Sequence, residues 1–187
     1  MLESLQRRAL AELELRPDDR VLDVACGAGK LVRAVAPRVE HAVGVDLSAR
    51  MIEEARRRTA ADHEVPADRT EFAVGPADAL PFRDGAFTAI ITTTAFHHFP
   101  DPAASVREIA RVLAPGGRVV IGDSVRDMLP ARLGDEFLRR VERGHVGLQE
   151  REGLERLLED AGLEVTRSRT VMLGLYAYVT GTKPPTG

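Results

Sequence analysis

The stretch from Arg20 to Leu47 constrains the fold of this chain more strongly than any other part of the sequence. An apolar run over residues 21–25 leads into a turn of almost no side-chain bulk at 27–29, and apolar residues at helical spacing follow over 31–35. A second apolar run ends on Asp46. This order predicts a strand, a glycine turn, a helix and a parallel strand. The turn and Asp46 should then face one ligand at the carboxyl end of a sheet.

Length and composition are those of a single-domain globular protein. The 187 residues are 44% hydrophobic and 29% charged, and one core of ordinary size accounts for that length. We predict one domain over residues 1–183, with a disordered tail over 184–187. The single cysteine, Cys26, excludes an internal disulfide and a cysteine metal cluster.

Charge and hydropathy predict neither a nucleic-acid partner nor a membrane partner. The formal net charge of −3 gives no general attraction to a polyanion. The first residues are charged throughout and lack the apolar core of a secretion signal. No run approaches the roughly 20 apolar residues that cross a bilayer. We therefore expect a soluble, cytoplasmic protein.

The rest of the chain continues to alternate between strands and helices. Ser48 is the predicted N-cap of a helix over 49–61. Met51, Ile52 and Ala55 are expected to form the inner face of that helix. The further predicted elements are strands at 70–75, 87–96 and 118–123, helices at 2–15, 102–113 and 150–161, and a short amphipathic helix within 124–148.

The two final strands are predicted to form an antiparallel hairpin. Residues 163–172 and 175–182 alternate in polarity around a tight turn at Gly174, whereas a parallel crossover would need a dozen residues or more. Five strands that alternate with helices, followed by this hairpin, predict an α/β fold. We expect a Rossmann-like, doubly wound seven-stranded sheet, mostly parallel, with one antiparallel strand from the hairpin.

Spacing around the glycine turn separates three classes of cofactor. A dinucleotide fingerprint requires a small residue at position 32, where this chain has Val32. A Walker-type phosphate loop requires a glycine and a hydroxyl residue at the positions of Val24 and Leu31. The remaining class has an acid in the first strand, here Asp23, and a second acid at the end of the second strand.

Four motifs in order identify that class. They are VLDVACGAGKL (21–31), GVDLSARMIEEAR (44–56), ADALPF (77–82) with TTAFHHFPDP (93–102), and RVLAPGGRVVIGD (111–123). With them the chain resembles the class I S-adenosylmethionine-dependent methyltransferases, specifically the small-molecule, type 11-like group. The resemblance covers nearly the whole chain. It implies S-adenosyl-L-methionine as cofactor, S-adenosyl-L-homocysteine as product, and a small-molecule acceptor methylated at O, N or C.

The resemblance also implies a role for each residue of the cofactor site. The glycine turn approaches the methionine end closely, and a carboxylate with nearby carbonyls holds the methionine amino group. A second acid binds both ribose hydroxyls, and adenine lies between apolar side chains with its polar edge on a loop. The corresponding residues are Asp23, Gly27, Gly29 and Thr94 for the methionine end, Asp46 for the ribose, and Leu47, Met51, Asp78 and Ala79 for adenine.

Simpler structural roles remain open for several of these residues. Asp46 could serve only as a cap for the helix at Ser48, and Asp78 could be an ordinary loop acid. Met51 is as compatible with a core position as with a ligand contact. Cys26 is expected to pack beside the ligand, since no neighbouring base would activate it.

Two adjacent histidines, His97 and His98, are the candidates for a general base. A base is needed only if the acceptor loses a proton during transfer. A structural role is the alternative, because an imidazole could cap the following helix or hold the Phe99–Pro100 turn. In the resembled family the second histidine is usual and the first varies, so we expect His98 to be structural and retain His97 as the catalytic candidate. Adjacent residues of a strand point to opposite faces, so we expect no metal site.

The acceptor pocket is the least specified part of the sequence. Only about 19 residues precede the first strand, fewer than in many members of the resembled family. We expect a relatively open pocket built from residues 1–10, 96–101 and 124–148, or completed by a second subunit in a homodimer. Few aromatic residues are available to stack a planar acceptor: Phe96, Phe99, Phe137, Tyr176 and Tyr178.

Two functions from different classes remain open. The first is an enzyme that methylates a small molecule by in-line displacement, mainly through positioning. The second is a methyltransferase-like accessory protein that binds the cofactor without acceptor chemistry of its own. A methyltransferase for tRNA or protein is disfavoured by the acidic charge and the absence of a basic stripe.

Overall fold

The computed structural model describes residues 2–127, 135–136 and 147–185. Seven strands form one sheet in the order β3-β2-β1-β4-β5-β7-β6. The strands are β1 (Arg20–Val24), β2 (His41–Asp46), β3 (Thr70–Val74), β4 (Phe87–Thr93), β5 (Leu113–Ser124), β6 (Glu164–Val171) and β7 (Tyr176–Thr182). Strands β1 to β5 pair in parallel, whereas β7 is antiparallel to both β5 and β6. The predicted sheet with one antiparallel strand is confirmed.

Helices cover both faces of the sheet. The described helices are α1 (Leu2–Leu13), α2 (Lys30–Val35), α3 (Ala49–Ala60), α4 (Pro102–Val112) and α5 (Arg151–Asp160). Successive side chains of a strand face opposite sides, so Ile90 packs in one apolar cluster and Ile91 in the other. The central strands are therefore continuous apolar runs, as a sheet buried on both faces requires. No helix among the described residues is long and apolar enough to cross a membrane.

Helix α3 departs from the prediction at Met51. Ile52 and Ala55 are buried, but Met51 is 42% exposed, so its predicted place on the inner face was wrong. Met51 lies in the first turn, beside the carboxyl edge of the sheet, where it lines a surface depression together with Ala28. The predicted N-cap is confirmed, because the Ser48 hydroxyl accepts a hydrogen bond from the Met51 N–H.

Strand limits differ from the prediction on either side of the connection between β4 and β5. The fourth strand ends at Thr93 and not at 96, because Thr94 has a φ of +55° that no strand continues. The fifth strand begins at Leu113 and not at 118, since Leu113 pairs with Phe87. Residues 113–117 thus belong to β5.

Three predictions concern parts of the chain that the structure describes only in part. The amphipathic helix within 124–148 lies outside the described residues except at 135–136, as does Phe137. Residues 186–187 of the predicted tail are also outside them. The domain limits of 1–183 and the tail over 184–187 stay predictions.

A buried ion pair fastens α1 to the amino end of the sheet. The Arg118 guanidinium donates to both carboxylate oxygens of Asp19 and to the carbonyls of Leu13 and Glu14. Burial by itself would raise the pKa of Asp19, but hydrogen bonds from Arg118, the Arg16 N–H and Thr88 leave that pKa lowered. The pair is therefore charged and fully engaged, and it sits at the end of the sheet opposite the glycine turn.

Two threonines on β4 provide a matched test of this polar arrangement. The Thr88 hydroxyl donates to Asp19 at 2.8 Å and accepts from the Arg20 N–H at 3.0 Å, whereas the buried Thr92 hydroxyl has no hydrogen-bond partner among the described residues. We expect Thr92→Val to raise the free energy of unfolding by about 1 kcal/mol, because it removes an unpaired buried hydroxyl. Thr88→Val should lower it by about 1–2 kcal/mol, because it leaves paired groups without partners. Urea unfolding of both variants checks the prediction, and changes of equal sign would contradict it.

Candidate functional site

A cavity of about 320 Å³ opens at the carboxyl ends of the parallel strands. It lies where the sheet order reverses between β1 and β4, which is where open α/β sheets bind ligands. Its wall comes from the ends of four strands and from α4: Val24, Ala25, Val45–Leu47, Gly75–Asp78, Ala95, His98–Pro100 and Ser105. The volume is within the range of sites for small molecules and cofactors.

The glycine turn beside this cavity has two glycines with different roles. Both have a left-handed backbone, with φ of +52° at Gly27 and +70° at Gly29. A Cβ at Gly27 would meet no atom within 4 Å, so the turn is open at that point. A Cβ at Gly29 would lie 2.6 Å from the Phe72 ring. Both glycines are predicted to let the turn approach the methionine end, and at Gly29 the small residue is also required by packing against Phe72 of β3.

Asp46 joins the glycine turn to the end of β2. Its Oδ2 accepts the Gly27 N–H at 2.8 Å, and its Oδ1 accepts the Ser48 N–H at 2.9 Å. Because Ser48 itself caps α3, the alternative that Asp46 serves only as the helix cap is wrong. Each carboxylate oxygen keeps capacity for further hydrogen bonds, and Asp46 lines the cavity.

Asp23 is a buried carboxylate with unusual electrostatics. It is only 4% exposed, and no hydrogen bond reaches its side chain within the part of the chain that the structure describes. Burial, and then the negative charge of Asp46, raise the pKa of Asp23 to about 8. A cation placed beside Asp23 would remove this penalty, whereas a phosphate would add to it.

Cys26 packs between the glycine turn and β2. Its Sγ would lie 2.7 Å from a Cβ on Gly44, so the thiol occupies the space that Gly44 leaves. Burial, followed by the charges of Asp23 and Asp46, raises the pKa of the Cys26 thiol. A thiol that resists deprotonation is a poor nucleophile, in agreement with the predicted packing role.

The residues predicted to contact adenine are only partly brought together. Leu47, which is 71% exposed, and Asp78 both line the cavity. Met51 does not, because it faces the separate depression beside Ala28. Ala79 is not part of the cavity wall either, and its N–H donates to the Pro76 carbonyl at 3.3 Å.

The two histidines diverge at the end of β4. The His97 Nδ1 lies 2.8 Å from Asp123 Oδ1, and the His97 N–H donates to Asp123 Oδ2 at 3.0 Å. His98 lines the cavity, although we expected it to be the purely structural member of the pair. The centroids of the two rings are 4.0 Å apart, so the histidines stay in contact although one bonds to Asp123 and the other lines the cavity.

Sequence reasoning missed Asp123 as a site residue. It is 2% exposed and lies at the carboxyl end of β5, directly after the residue that pairs with Thr93 of β4. The available signal was its place at the end of the RVLAPGGRVVIGD motif, since neighbouring parallel strands end at the same edge. Thr94 directly precedes Ala95 of the cavity wall, and its hydroxyl is 3.1 Å from the Tyr176 hydroxyl.

The aromatic residues considered for acceptor stacking are buried in the described structure. Phe96, Phe99, Tyr176 and Tyr178 are each at most 5% exposed, and Phe99 forms part of the cavity wall. Phe96, Tyr176 and Tyr178 are therefore committed to the core, and Phe99 alone of these four has a face on the cavity. Whether the acceptor pocket is open stays a prediction, since most of residues 128–146 lie outside the described set.

Comparison with known proteins identifies the family. Residues 22–121 match the family model described as "Methyltransferase domain". The chain belongs to this family. Its predicted class, the class I S-adenosylmethionine-dependent methyltransferases, is thereby confirmed.

Similar proteins include enzymes named for small-molecule substrates. The 27-O-demethylrifamycin SV methyltransferase of Amycolatopsis mediterranei (strain S699) is 34% identical over 164 residues, which are 86% of this chain and 59% of that protein. The demethylmenaquinone methyltransferase of Clavibacter sepedonicus is 32% identical over 186 residues, which are 89% of this chain and 74% of that protein. Several of the curated relatives are longer, and the chain spans 46% to 59% of three of them.

A solved structure supports the fold independently. The YcgJ protein of Bacillus subtilis superposes with a TM-score of 0.83 at 22% sequence identity. The match covers 98% of this chain and 100% of that one. At this identity the likeness shows the fold alone, so the chemistry has to be argued from the residues of the site.

The raised pKa of Asp23 predicts how stability depends on pH. Its pKa is about 8 in the folded protein against 3.8 ordinarily, so between these values the folded chain holds a proton that the unfolded chain releases. The Asp23 contribution is complete below about pH 4 and is lost as the pH rises toward 8. We expect the unliganded wild type to lose up to about 1.4 kcal/mol per pH unit more than Asp23→Asn across this range.

Urea unfolding at pH 5, 6, 7 and 8 measures this difference. The advantage of Asp23→Asn over the wild type should grow steadily with pH. Two parallel stability curves would mean that Asp23 is ionised in the unliganded protein.

Proposed function

We propose that this chain is a methyltransferase that transfers a methyl group from S-adenosyl-L-methionine to a small-molecule acceptor. The observation that carries the proposal is Asp23, a buried carboxylate without a hydrogen-bond partner in the described residues, next to a glycine turn and a second carboxylate. S-adenosylmethionine has an ammonium and a sulfonium, and both are attracted to such a site. A dinucleotide would instead bring its pyrophosphate toward two acids.

The residues proposed for the methionine end and the ribose meet at the carboxyl edge of the sheet, and of these Asp46 lines the cavity itself. Asp23, with the backbone near Gly27 and Thr94, would hold the methionine amino group. Asp46 has acceptor capacity left for the two ribose hydroxyls, and each such charge-assisted bond contributes roughly 1.5–3 kcal/mol. Leu47 would cover the adenine ring, and Asp78 would accept its amino group. Gly29 would contribute to cofactor binding only indirectly, by allowing the backbone conformation of the glycine turn.

Two predicted adenine contacts need a further movement to take part. Met51 faces its own depression, so it would reach the adenine only after a change of side-chain rotamer. The Ala79 N–H would have to leave the Pro76 carbonyl before it could bind a ring nitrogen. Their role in cofactor binding therefore stays a prediction that depends on such a change.

Positioning supplies most of the catalysis in this proposal. When bound, the cofactor supplies a methyl group that its sulfonium has already activated for in-line displacement. The protein then has to align the acceptor, and orientation can contribute roughly 7–11 kcal/mol in favourable cases. The acceptor would be an O, N or C atom of a small organic molecule. The names of the two relatives, which refer to demethylrifamycin SV and demethylmenaquinone, support a small-molecule acceptor.

His97 is the proposed base for an acceptor that must lose a proton. Asp123 orients the ring through Nδ1 at 2.8 Å, and this contact favours a tautomer with the proton on Nδ1. This pair resembles the histidine–carboxylate arrangement of general-base catalysis, where the carboxylate also stabilises the imidazolium. The pair favours the enzyme over the accessory binding protein, which would need no oriented imidazole. A homodimer stays a proposal for completing the acceptor pocket.

Calorimetry tests the cofactor assignment through the proton on Asp23. S-adenosylhomocysteine brings an ammonium to Asp23, so the pKa of about 8 should fall and binding at pH 7 should release close to one proton. Titrations in phosphate and Tris buffers, which differ in ionisation enthalpy, measure that proton. The control ligand 5′-methylthioadenosine lacks the amino-acid end and should bind without proton release.

Two variants complete this test. Asp23→Asn should abolish the proton release, and Asp46→Ala should weaken S-adenosylhomocysteine binding by about tenfold or more because the ribose contacts are lost. No binding of S-adenosylmethionine at submillimolar concentration, or unchanged binding in Asp46→Ala, would refute the cofactor assignment.

A radiolabelled methyl screen over metabolite extracts separates the enzyme from the accessory binder. We expect labelled product with the wild type and about a hundredfold lower rate with His97→Gln, while the affinity for S-adenosylhomocysteine is unchanged. Asp123→Asn should reduce the rate in the same way, because the ring loses its orientation. A persistent blank with intact cofactor binding would favour the accessory protein, and full activity in His97→Gln would exclude this residue as the base.

A further inference from the structure

A hydrogen-bonded link connects β7 with the end of β4 across β5. The Tyr176 hydroxyl donates to the Gly122 carbonyl at 2.7 Å, and the Thr94 N–H donates to the same oxygen at 2.8 Å. The Thr94 Oγ1 lies 3.1 Å from the Tyr176 hydroxyl. Tyr176 is only 2% exposed, so these bonds form away from water. Tyr176, Gly122 and Thr94 therefore form a buried cluster of mutual hydrogen bonds near the carboxyl ends of β4 and β5.

The direction of each bond follows from the number of protons. A phenol has one proton, which Tyr176 directs to Gly122, so the Thr94 hydroxyl is the donor in the third bond. The two lone pairs of the Gly122 carbonyl are both used. A Cβ on Gly122 would lie 3.1 Å from the Tyr176 hydroxyl oxygen, so glycine at this position lets the phenol reach across the strand.

Thr94 needs this support because of its backbone. Its φ of +55° is left-handed, and a β-branched residue adopts that region only when its surroundings hold it there. The bonds to Gly122 and Tyr176 fix both its backbone and its side chain. Without them, Thr94 would lose the hydrogen bonds that hold its own unfavourable conformation.

The conformation of Thr94 decides where the next residues lie. It ends β4 and begins the short turn in which Ala95 and His98 reach the cavity wall. The same turn brings the N–H and the ring of His97 onto Asp123. One strained residue thus sets part of the cofactor cavity and the histidine–carboxylate pair together.

We propose that Tyr176 is a positioning residue of the site, acting through Thr94 on the segment 95–98. The proposal rests on the proposed function, since it assigns to this segment the cofactor wall and the candidate base. Tyr176 is not part of the cavity wall. It keeps Thr94 in the backbone conformation that places residues 95–98 correctly for the cavity wall and for the His97–Asp123 pair.

Calorimetry with S-adenosylhomocysteine compares two tyrosines of the same strand. Tyr176→Phe should weaken binding about five- to tenfold, because the cavity wall loses its support. Tyr178→Phe is the matched control, since Tyr178 is 1% exposed and its hydroxyl donates to the Leu5 carbonyl at 2.9 Å, on α1. The control should lose a similar amount of stability and keep its affinity. Equal affinity in Tyr176→Phe and wild type, or equal losses in both variants, would overturn the proposal.

Substitutions of Thr94 separate positioning from a general loss of stability. Thr94→Val keeps the strained backbone without the hydroxyl, so it should weaken binding as Tyr176→Phe does, and the double variant should be no worse. Thr94→Gly in the Tyr176→Phe background should restore affinity, because glycine adopts a positive φ without an anchor. A double variant that stays as weak as Tyr176→Phe after this change would contradict the mechanism.

A measurement without ligand makes the result independent of the cofactor assignment. In the NMR spectrum, the Nδ1 proton of His97 should be strongly downfield and slow to exchange in the wild type and in Tyr178→Phe, because it is bonded to Asp123. It should broaden or shift upfield in Tyr176→Phe. An unchanged signal in Tyr176→Phe would refute the positioning role even if the protein bound no S-adenosylhomocysteine.

Discussion

The two hydrogen bonds that Asp46 accepts hold together the region on which the candidate site depends. One fixes the glycine turn through Gly27, and the other fixes the start of α3 through Ser48. Because both donors are backbone groups, the carboxylate ties three chain segments at the carboxyl edge of the sheet. The cavity exists between these segments, and the position of Asp46 also raises the pKa of Asp23. One acid thus has both a structural and an electrostatic effect.

A second constraint lies at the neighbouring strand ends, where Thr94 changes the direction of the chain. Its left-handed backbone is maintained from β5 and β7, the strands that lie farther from the glycine turn. The C-terminal hairpin therefore contributes to the site through buried hydrogen bonds, although its strands supply no residue to the cavity wall. The antiparallel strand β7 thus contributes more than its pairing with β5 and β6.

Much of the fold could be predicted because its signals are local in the sequence. Apolar runs of strand length, the Ser48 cap and the short connection at Gly174 each report on a few neighbouring residues, and the structure agrees with them. Predictions were wrong where the surroundings of a residue are formed by segments distant in the sequence. Met51 follows the helical spacing but lies beyond the sheet edge, and the strand ending at Thr93 is apolar well past its last pairing residue.

The sequence by itself determined the order of strands and helices, the edge of the sheet that carries the site, and the family to which the chain belongs. Periodicity and motif order are properties of the chain, and hydrophobic burial converts them into layers. Only the tertiary structure decided that His97 meets Asp123, that His98 turns toward the cavity, and that Tyr176 supports Thr94. His97 and Asp123 are 26 positions apart in the sequence, and Thr94 and Tyr176 are 82 positions apart. No local spacing relates residues at such separations, so their distances are set by the packing of the sheet.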